Sequence, residues 1–124
     1  MNARKPLIAV SILLLLSSGA VQADGGKDQL GRVKFENSCD PGVKPLLETG
    51  VAMLHSFWYN AAEKTFRDVL VKDPSCTVAN WGIAAILMSN PLAGQGASPK
   101  AAAAAQAAID QGRLVSPKTQ RERD

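Results

Sequence analysis

The sequence predicts an all-α protein built from antiparallel helix–turn–helix units. After residue 40 there is no sustained alternation of apolar and polar residues, which a half-buried β-strand would require. Apolar residues instead recur every three or four positions in the segments 43–57, 60–73 and 77–89, as they do on one face of an α-helix. Turn-forming and helix-breaking residues separate these segments, so consecutive helices are expected to fold back on one another.

Each helix has a recognisable start or stop. Pro45 suits the first turn of the first helix, where its missing N–H costs nothing. Asn60 followed by Glu63 resembles a capping box and predicts that the second helix begins near Asn60. That helix must end by Asp73, because Pro74 disfavours helical geometry in the residue before it.

The third helix, 77–89, is apolar around most of its circumference and must be covered on several sides or form a binding surface. Its Gly82 costs about 1 kcal/mol of helix stability relative to Ala, which predicts a close contact with a neighbouring helix. A loop at 90–99 precedes an alanine-rich helix at 100–115. Ser116 and Pro117 then predict the start of a further helix, and the chain stops soon after, as a truncated product or fragment would.

The first 23 residues have the layout of a secretory signal peptide. Arg4 and Lys5 precede an apolar run of ten residues, Leu7–Leu16, and small residues then lead to a predicted cleavage site after Ala23. The run is short for a membrane helix, which needs about 20 residues, although an uncleaved N-terminal anchor is the alternative. We therefore expect an exported protein, periplasmic or secreted, that meets a membrane only if the signal is uncleaved. Residues 24–42 are expected to be a flexible segment pinned at Phe35 and Cys39.

Charge and cysteine content restrict the function classes. Removing Arg4 and Lys5 with the signal leaves 12 basic residues (14 − 2) against 11 acidic ones, and no basic stripe interleaved with aromatics points to nucleic acid. Cys39 and Cys76 are too far apart for a CxxC motif, and with one distant histidine they make a poor zinc site. In an exported protein a disulfide is the simpler interpretation, and it would close a loop of about 38 residues worth about 4 kcal/mol. Two separate buried thiols are the alternative.

The stretch HSFWY contains the candidates for chemistry. His55, the only histidine, has no recognisable nucleophile motif around it, so we predict no catalysis, no cofactor and no metal. A structural histidine bonding a backbone carbonyl near the end of its helix is the alternative role. Phe57, Trp58 and Tyr59 could stack on a ligand, but at least two of the three are expected to fill the core between two helices.

A helical-repeat family matches this part of the chain. Gly50 and Ala84 are 34 positions apart, the period of a tetratricopeptide repeat. The spacing Gly50–Ala62–Phe66–Pro74 fits the small, small, aromatic and proline positions of one such repeat, with Tyr59 in its turn. The segment 43–124 thus resembles a tetratricopeptide repeat domain that is incomplete at its C-terminus, similar to exported bacterial proteins of this family.

The resemblance implies a protein or peptide partner bound along the first helix of each repeat. The positions that would line this partner groove are Lys44, Leu47, Val51, Leu54, His55, Val78, Trp81, Ala85 and Met88. Trp81 is the best anchor, because aromatic residues are enriched at interfaces, although the alanine-rich segment could instead cover it. We therefore expect a non-enzymatic interaction module. The alternatives are a structural N-terminal part of a larger exported protein and an enzyme that uses His55.

Overall fold

The computed structural model describes residues 30–94 and 96–124, and this part of the chain is all-α, as predicted. Within it there are five α-helices, one short 3₁₀ turn at Pro91–Ala93 and no β-strand. The predicted signal peptide, with its cleavage site, and the first residues of the 24–42 segment lie outside the described residues. The helices are α1 (Lys44–His55), α2 (Tyr59–Lys72), α3 (Thr77–Leu87), α4 (Pro99–Arg113) and α5 (Gln120–Arg123).

The four long helices pack chiefly against their neighbours in sequence. α1 lies on α2, α2 on α3 and α3 on α4, while α1 and α3 make a smaller contact. Each helix contributes one apolar face, and the buried side chains form a single cluster across α1, α2 and α3. α4 adds little to it, because its buried residue is only an alanine, Ala105. A small side chain lets α4 approach α3 closely while burying little area itself.

The centre of the cluster is Phe66, which is fully buried on α2. Its ring lies against two glycines, Gly50 of α1 and Gly82 of α3. A Cβ atom placed on Gly82 would stand 2.5 Å from the nearest ring carbon, and one on Gly50 would stand 2.9 Å away. The close helix contact predicted at Gly82 is therefore confirmed, and the neighbouring group is the aromatic ring of α2.

The capping box predicted for α2 does not form, although the helix starts one residue before Asn60. The helix begins at Tyr59, and its N-cap residue, Trp58, makes no side-chain capping hydrogen bond. The carboxylate of Glu63 accepts from the guanidinium of Arg67 at 2.6 Å, one turn further along the same helix. Asn60 and Glu63 are both inside the helix and form no capping box.

A Schellman motif ends α1 and accounts for this early start. The Trp58 N–H donates to the Met53 carbonyl at 3.0 Å, and the Phe57 N–H donates to the Leu54 carbonyl at 3.2 Å. Phe57 occupies the position usually taken by glycine, with a φ of 61°. The link between α1 and α2 is therefore only three residues long, and α2 resumes immediately after it.

The prediction that at least two of the three HSFWY aromatics are core residues is wrong. Phe57 is 57% exposed and Trp58 is 41% exposed, while Tyr59 is partly buried and packs against the core. The rings of Phe57 and Tyr59 meet edge to face with centroids 6.1 Å apart. Because Phe57 and Trp58 belong to the turn, their side chains lie outside the face that each helix buries.

The last two helices have side-chain caps. Ser98 accepts from the Ala101 N–H at 3.2 Å, so α4 begins with Pro99 in its first position. The predicted cap at Ser116 is wrong, because α5 starts later, with Thr119 and Glu122 forming a reciprocal capping box. This threonine-to-glutamate spacing is a sequence signature of a helix start.

Candidate functional site

A cleft of about 660 Å³ opens between the beginning of α3, the end of α4 and the C-terminal segment. Its volume falls within the range of about 300–1,000 Å³ found for ligand pockets in proteins. Its lining combines apolar and aromatic side chains with charged ones. The cleft is lined by Phe35, His55, Thr77, Val78, Asn80, Trp81, Ile109, Gly112, Arg113, Val115, Pro117, Arg121, Glu122, Arg123 and Asp124.

α3 supplies the floor of the cleft through residues one helical turn apart. Thr77 and Trp81 are four positions apart, and Asn80 lies beside Trp81, so all three share the face directed at the end of α4. Gly112 lets α4 approach this face, because a Cβ atom placed there would stand 3.2 Å from the Cβ of Asn80. The small residue near the end of α4 therefore shapes the cleft.

Residues 33–40, which we call the N-terminal arm, cover one side of Trp81. The ring of Phe35 stacks on the indole with centroids 5.6 Å apart and an interplanar angle of 24°. The guanidinium of Arg121 lies 4.6 Å from the centroid of the same phenyl ring, within cation–π distance. The Phe35 N–H donates to the carboxylate of Glu48 on α1 at 3.3 Å. The aromatic ring that contacts Trp81 therefore comes from the arm, and Trp81 itself remains 40% exposed.

A disulfide attaches the arm to the start of α3. Cys39 and Cys76 are bonded, with their Cα atoms 4.6 Å apart, and both are buried. This confirms the predicted pairing and the pinning of the segment at Cys39, and it is consistent with an oxidising compartment. Asp73 lies close enough to both sulfurs to resemble a metal-ligand set. Because metal ligation requires thiolates and these sulfurs are bonded to each other, the cluster holds no metal in the oxidised protein.

Asp73 is a second fastening point for the arm. Its carboxylate accepts from the Asp40 N–H at 2.8 Å and from the Ser75 N–H and hydroxyl at 3.0 and 2.6 Å. Burial would raise the pKa of Asp73, but the hydrogen bonds from Ser75 and Asp40 outweigh it and hold the pKa below its ordinary value. The carboxylate is therefore charged at neutral pH and secures the arm where it meets α1.

Glu122 connects the arm with the C-terminal segment, 84 positions away in sequence. One carboxylate oxygen accepts from the Ser38 N–H at 2.8 Å and the Ser38 hydroxyl at 2.7 Å, and the other accepts from the N–H groups of Lys118 and Thr119 at 2.7 and 3.0 Å. Burial would raise the pKa of Glu122, but these hydrogen bonds lower it to about 2. The capping box could have been found from the sequence, whereas Ser38 could not.

The structure gathers some of the predicted groove residues and separates others. His55, Val78 and Trp81 line the cleft together. Leu47 and Val51 are core residues and Val78 is also buried, because these positions face the neighbouring helices. Lys44 and Met88 are exposed, and Leu54 and Ala85 are partly buried; these four, with Leu47 and Val51, are not among the lining residues.

His55 is exposed at the end of α1, on the rim of the cleft. A general base needs a partner within hydrogen-bond reach. The hydrogen bonds found among the described residues include none from its imidazole, either to a backbone carbonyl or to a serine. His55 therefore contributes a polar edge to the cleft in this structure.

Sequence reasoning missed the basic residues of the cleft. Arg113 stands at the end of α4, and Arg121 and Arg123 stand on α5, so three basic side chains reach one cleft. In the sequence, residues 113–123 show only that basic residues are spread along the last part of the chain. Neither the closeness of these residues to Trp81 nor the place of Asn80 in the lining has a signal in the linear pattern, because both depend on how α4 and α5 turn back on α3.

Comparison with protein-family models, curated proteins and solved structures found no match for this chain. The likeness to the tetratricopeptide repeat family therefore rests on residue spacing. Within residues 30–94 and 96–124, none of the helices has the length and apolar character needed to cross a membrane.

Proposed function

We propose that this protein is an exported, non-enzymatic helical-repeat module that binds a segment of a partner protein in the cleft beside Trp81. The observation that carries the proposal is the position of Trp81, which is 40% exposed in a cleft of about 660 Å³. Aromatic side chains held in such pockets contribute much of the binding energy at protein interfaces. Stacking on Phe35 orients the indole before any partner arrives, which lowers the entropy cost of binding.

The repeat assignment is supported by packing as well as by spacing. Helices that pack chiefly on their sequence neighbours are expected in stacked repeats. Phe66 occupies the aromatic position that the repeat pattern assigns to its second helix, and it packs against Gly50 of the first helix and Gly82 of the next. Export is supported by the predicted signal peptide at residues 1–23 and by the buried disulfide.

The test compares two exposed tryptophans that differ in location. Peptides are first selected against the folded chain from a random display library and then synthesised. Their dissociation constants are measured by fluorescence anisotropy for the wild type, Trp81→Ala and Trp58→Ala. We expect Trp81→Ala to weaken binding roughly 30-fold, the effect of losing about 2 kcal/mol at an interface hot spot. Trp58→Ala is the matched control, because Trp58 is equally exposed but lies in the α1–α2 turn.

A purely structural N-terminal part of a larger exported protein is the second candidate. It is favoured by the contacts that join Trp81, Phe35 and Arg121, because these same groups also tie the arm to the helices. In that case Trp81→Ala would lower helicity and the melting temperature, and no selected peptide would depend on Trp81. Circular dichroism of the same variants separates the two candidates.

A further inference from the structure

We infer that the cleft takes an extended peptide segment in which an acidic side chain stands next to an apolar one. The inference rests on the proposed function and specifies the chemical class of the partner. The contributing features are three arginines, four apolar lining residues and the side-chain amide of Asn80.

The arginines give the cleft one more basic than acidic side chain. Arg113, Arg121 and Arg123 line it, together with two acidic residues, Glu122 and Asp124. The Glu122 carboxylate already accepts four hydrogen bonds on its two oxygens. An oxygen of Asp124 accepts from the Gln120 amide at 2.7 Å. Among the described residues, no salt bridge joins either acid to the three arginines, so the guanidinium groups remain available to a ligand.

Arg113 and Arg123 are held only loosely. Arg113 has a carboxylate oxygen of Asp110 at 3.5 Å, and both side chains are largely exposed, so this pair contributes little. Arg123 donates to the side-chain oxygen of Gln120, a neutral acceptor. A guanidinium presents a planar fork of donors that fits a carboxylate with two parallel hydrogen bonds. A ligand carboxylate can thus replace the weak contacts of these arginines with Asp110 and Gln120 by stronger paired hydrogen bonds.

The apolar part of the lining selects an apolar side chain. Trp81, Ile109, Val115 and Pro117 line the same cleft as the three arginines. A peptide whose carboxylate meets the arginines can therefore place an adjacent side chain against these apolar residues. Burial of that side chain supplies affinity, and the carboxylate supplies specificity.

The side-chain amide of Asn80 is the reason to expect that the bound peptide is extended. It lines the cleft and is only 9% exposed, and none of the side-chain hydrogen bonds found among the described residues involves its amide. No buried side-chain nitrogen or oxygen among those residues lacks a partner, so the amide must keep contact with the solvent of the cleft. A side-chain amide offers a donor and an acceptor, which matches the N–H and C=O of an extended backbone.

The experiment uses three pools of fluorescein-labelled nonapeptides that are N-acetylated and C-amidated. All contain a central Leu-Phe pair, flanked by two Asp, two Asn or two Lys residues, with the outer positions randomised. Anisotropy is measured with the folded chain at low and high salt. We expect the Asp pool to bind at least about tenfold more tightly than the Asn pool, and this advantage to shrink as salt screens the charges.

Two variants test the residues. Arg113→Gln is expected to weaken binding of the Asp pool about tenfold while leaving the Asn pool unchanged, since only the charged pool can form the fork. Arg67→Gln is the matched control, because Arg67 is a surface arginine of α2 outside the cleft. Asn80→Asp preserves the side-chain shape and is expected to repel the Asp pool, with its fold checked by circular dichroism.

The outcomes separate this inference from the proposed function. Equal affinity for the Asp and Asn pools, with binding still lost in Trp81→Ala, overturns the acidic partner and leaves the interaction module standing. Tighter binding of the Lys pool than of the Asp pool likewise overturns the acidic partner and leaves the interaction module standing. If the amidated pools fail to bind and the same peptides synthesised with a free C-terminal carboxylate bind in a Trp81-dependent way, the side-chain acid is overturned. Absence of Trp81-dependent binding in all pools overturns both proposals.

Discussion

The packing of Phe66 between two glycines leads to a sharp prediction for the variant Gly82→Ala. A Cβ atom at this position would lie 2.5, 2.6 and 2.7 Å from three ring carbons of Phe66, whereas carbon atoms in contact normally stand about 3.5–4.0 Å apart. The overlap is therefore roughly 1 Å at each of three atoms. The ring has no free space, because it is fully buried and its other edge lies close to Gly50.

Two opposing terms determine the magnitude. Forcing an extra methyl group into a packed core costs about 1–3 kcal/mol, and overlap with three ring atoms places this case at the upper end. Replacing glycine by alanine inside a helix gains about 1 kcal/mol. The net expectation is a loss of about 2 kcal/mol in the free energy of unfolding. At about 4–8 °C per kcal/mol for a domain of this size, the melting temperature should fall by roughly 8–16 °C.

The assay is urea unfolding followed by circular dichroism, with the melting temperature measured in parallel. Gly50→Ala serves as the graded control, because its Cβ atom would stand 2.9–3.2 Å from the ring and the helix gain should nearly offset the smaller clash. Combining Gly82→Ala with Phe66→Leu should recover part of the loss, giving a favourable interaction energy between the two sites. A Gly82→Ala protein as stable as the wild type would refute the reasoning.

Three further predictions concern the arm and the turn. Glu122→Gln should lower the free energy of unfolding by about 1–2 kcal/mol at neutral pH, after allowance for solvent screening. Because the folded pKa of about 2 lies below the ordinary 4.5, the wild type loses this advantage as the pH falls from about 5 to 2, and the unfolding free energies of the two proteins should converge. A difference in unfolding free energy that stayed constant with pH would contradict this prediction. Replacing Cys39 and Cys76 together by Ser should lower stability by about 4 kcal/mol in non-reducing denaturation, and a loss below 1 kcal/mol would show that the loop adds little. Phe57→Gly should raise the free energy of unfolding by about 0.5–1 kcal/mol, because glycine adopts a φ of 61° without strain. Phe57→Ala should bring no such gain, and equal melting temperatures for the two variants would argue against strain at this position.

Local patterns allowed the helices to be predicted, but their ends were less predictable. Pro74 correctly marked the end of α2, and Thr77 marked the start of α3. Asn60 and Ser116 were wrongly identified as caps, because capping residues are common inside helices and loops as well. The choice of cap depends on which backbone N–H groups remain free after the chain has turned, as the Schellman hydrogen bonds of Phe57 illustrate.

The candidate site was harder to predict than the fold. Trp81 could be identified, since a large aromatic residue on an apolar helix either packs or binds. Its surroundings could not, because Phe35 comes from 46 positions earlier and Arg121 from 40 positions later in the sequence. Periodicity within a helix carries no information about which distant segment will lie against it.

The sequence by itself determined the all-α class, the number and approximate extent of the long helices and the glycine contact in the core, and it favoured the disulfide that the structure contains. Each of these follows from spacing within a short window or from the chemistry of a residue type. Tertiary structure alone decided that the arm stacks on Trp81, that Ser38 binds Glu122 and that three arginines share one cleft. These contacts join residues far apart in the chain, and their geometry exists only once the packed helices have set the distances between them.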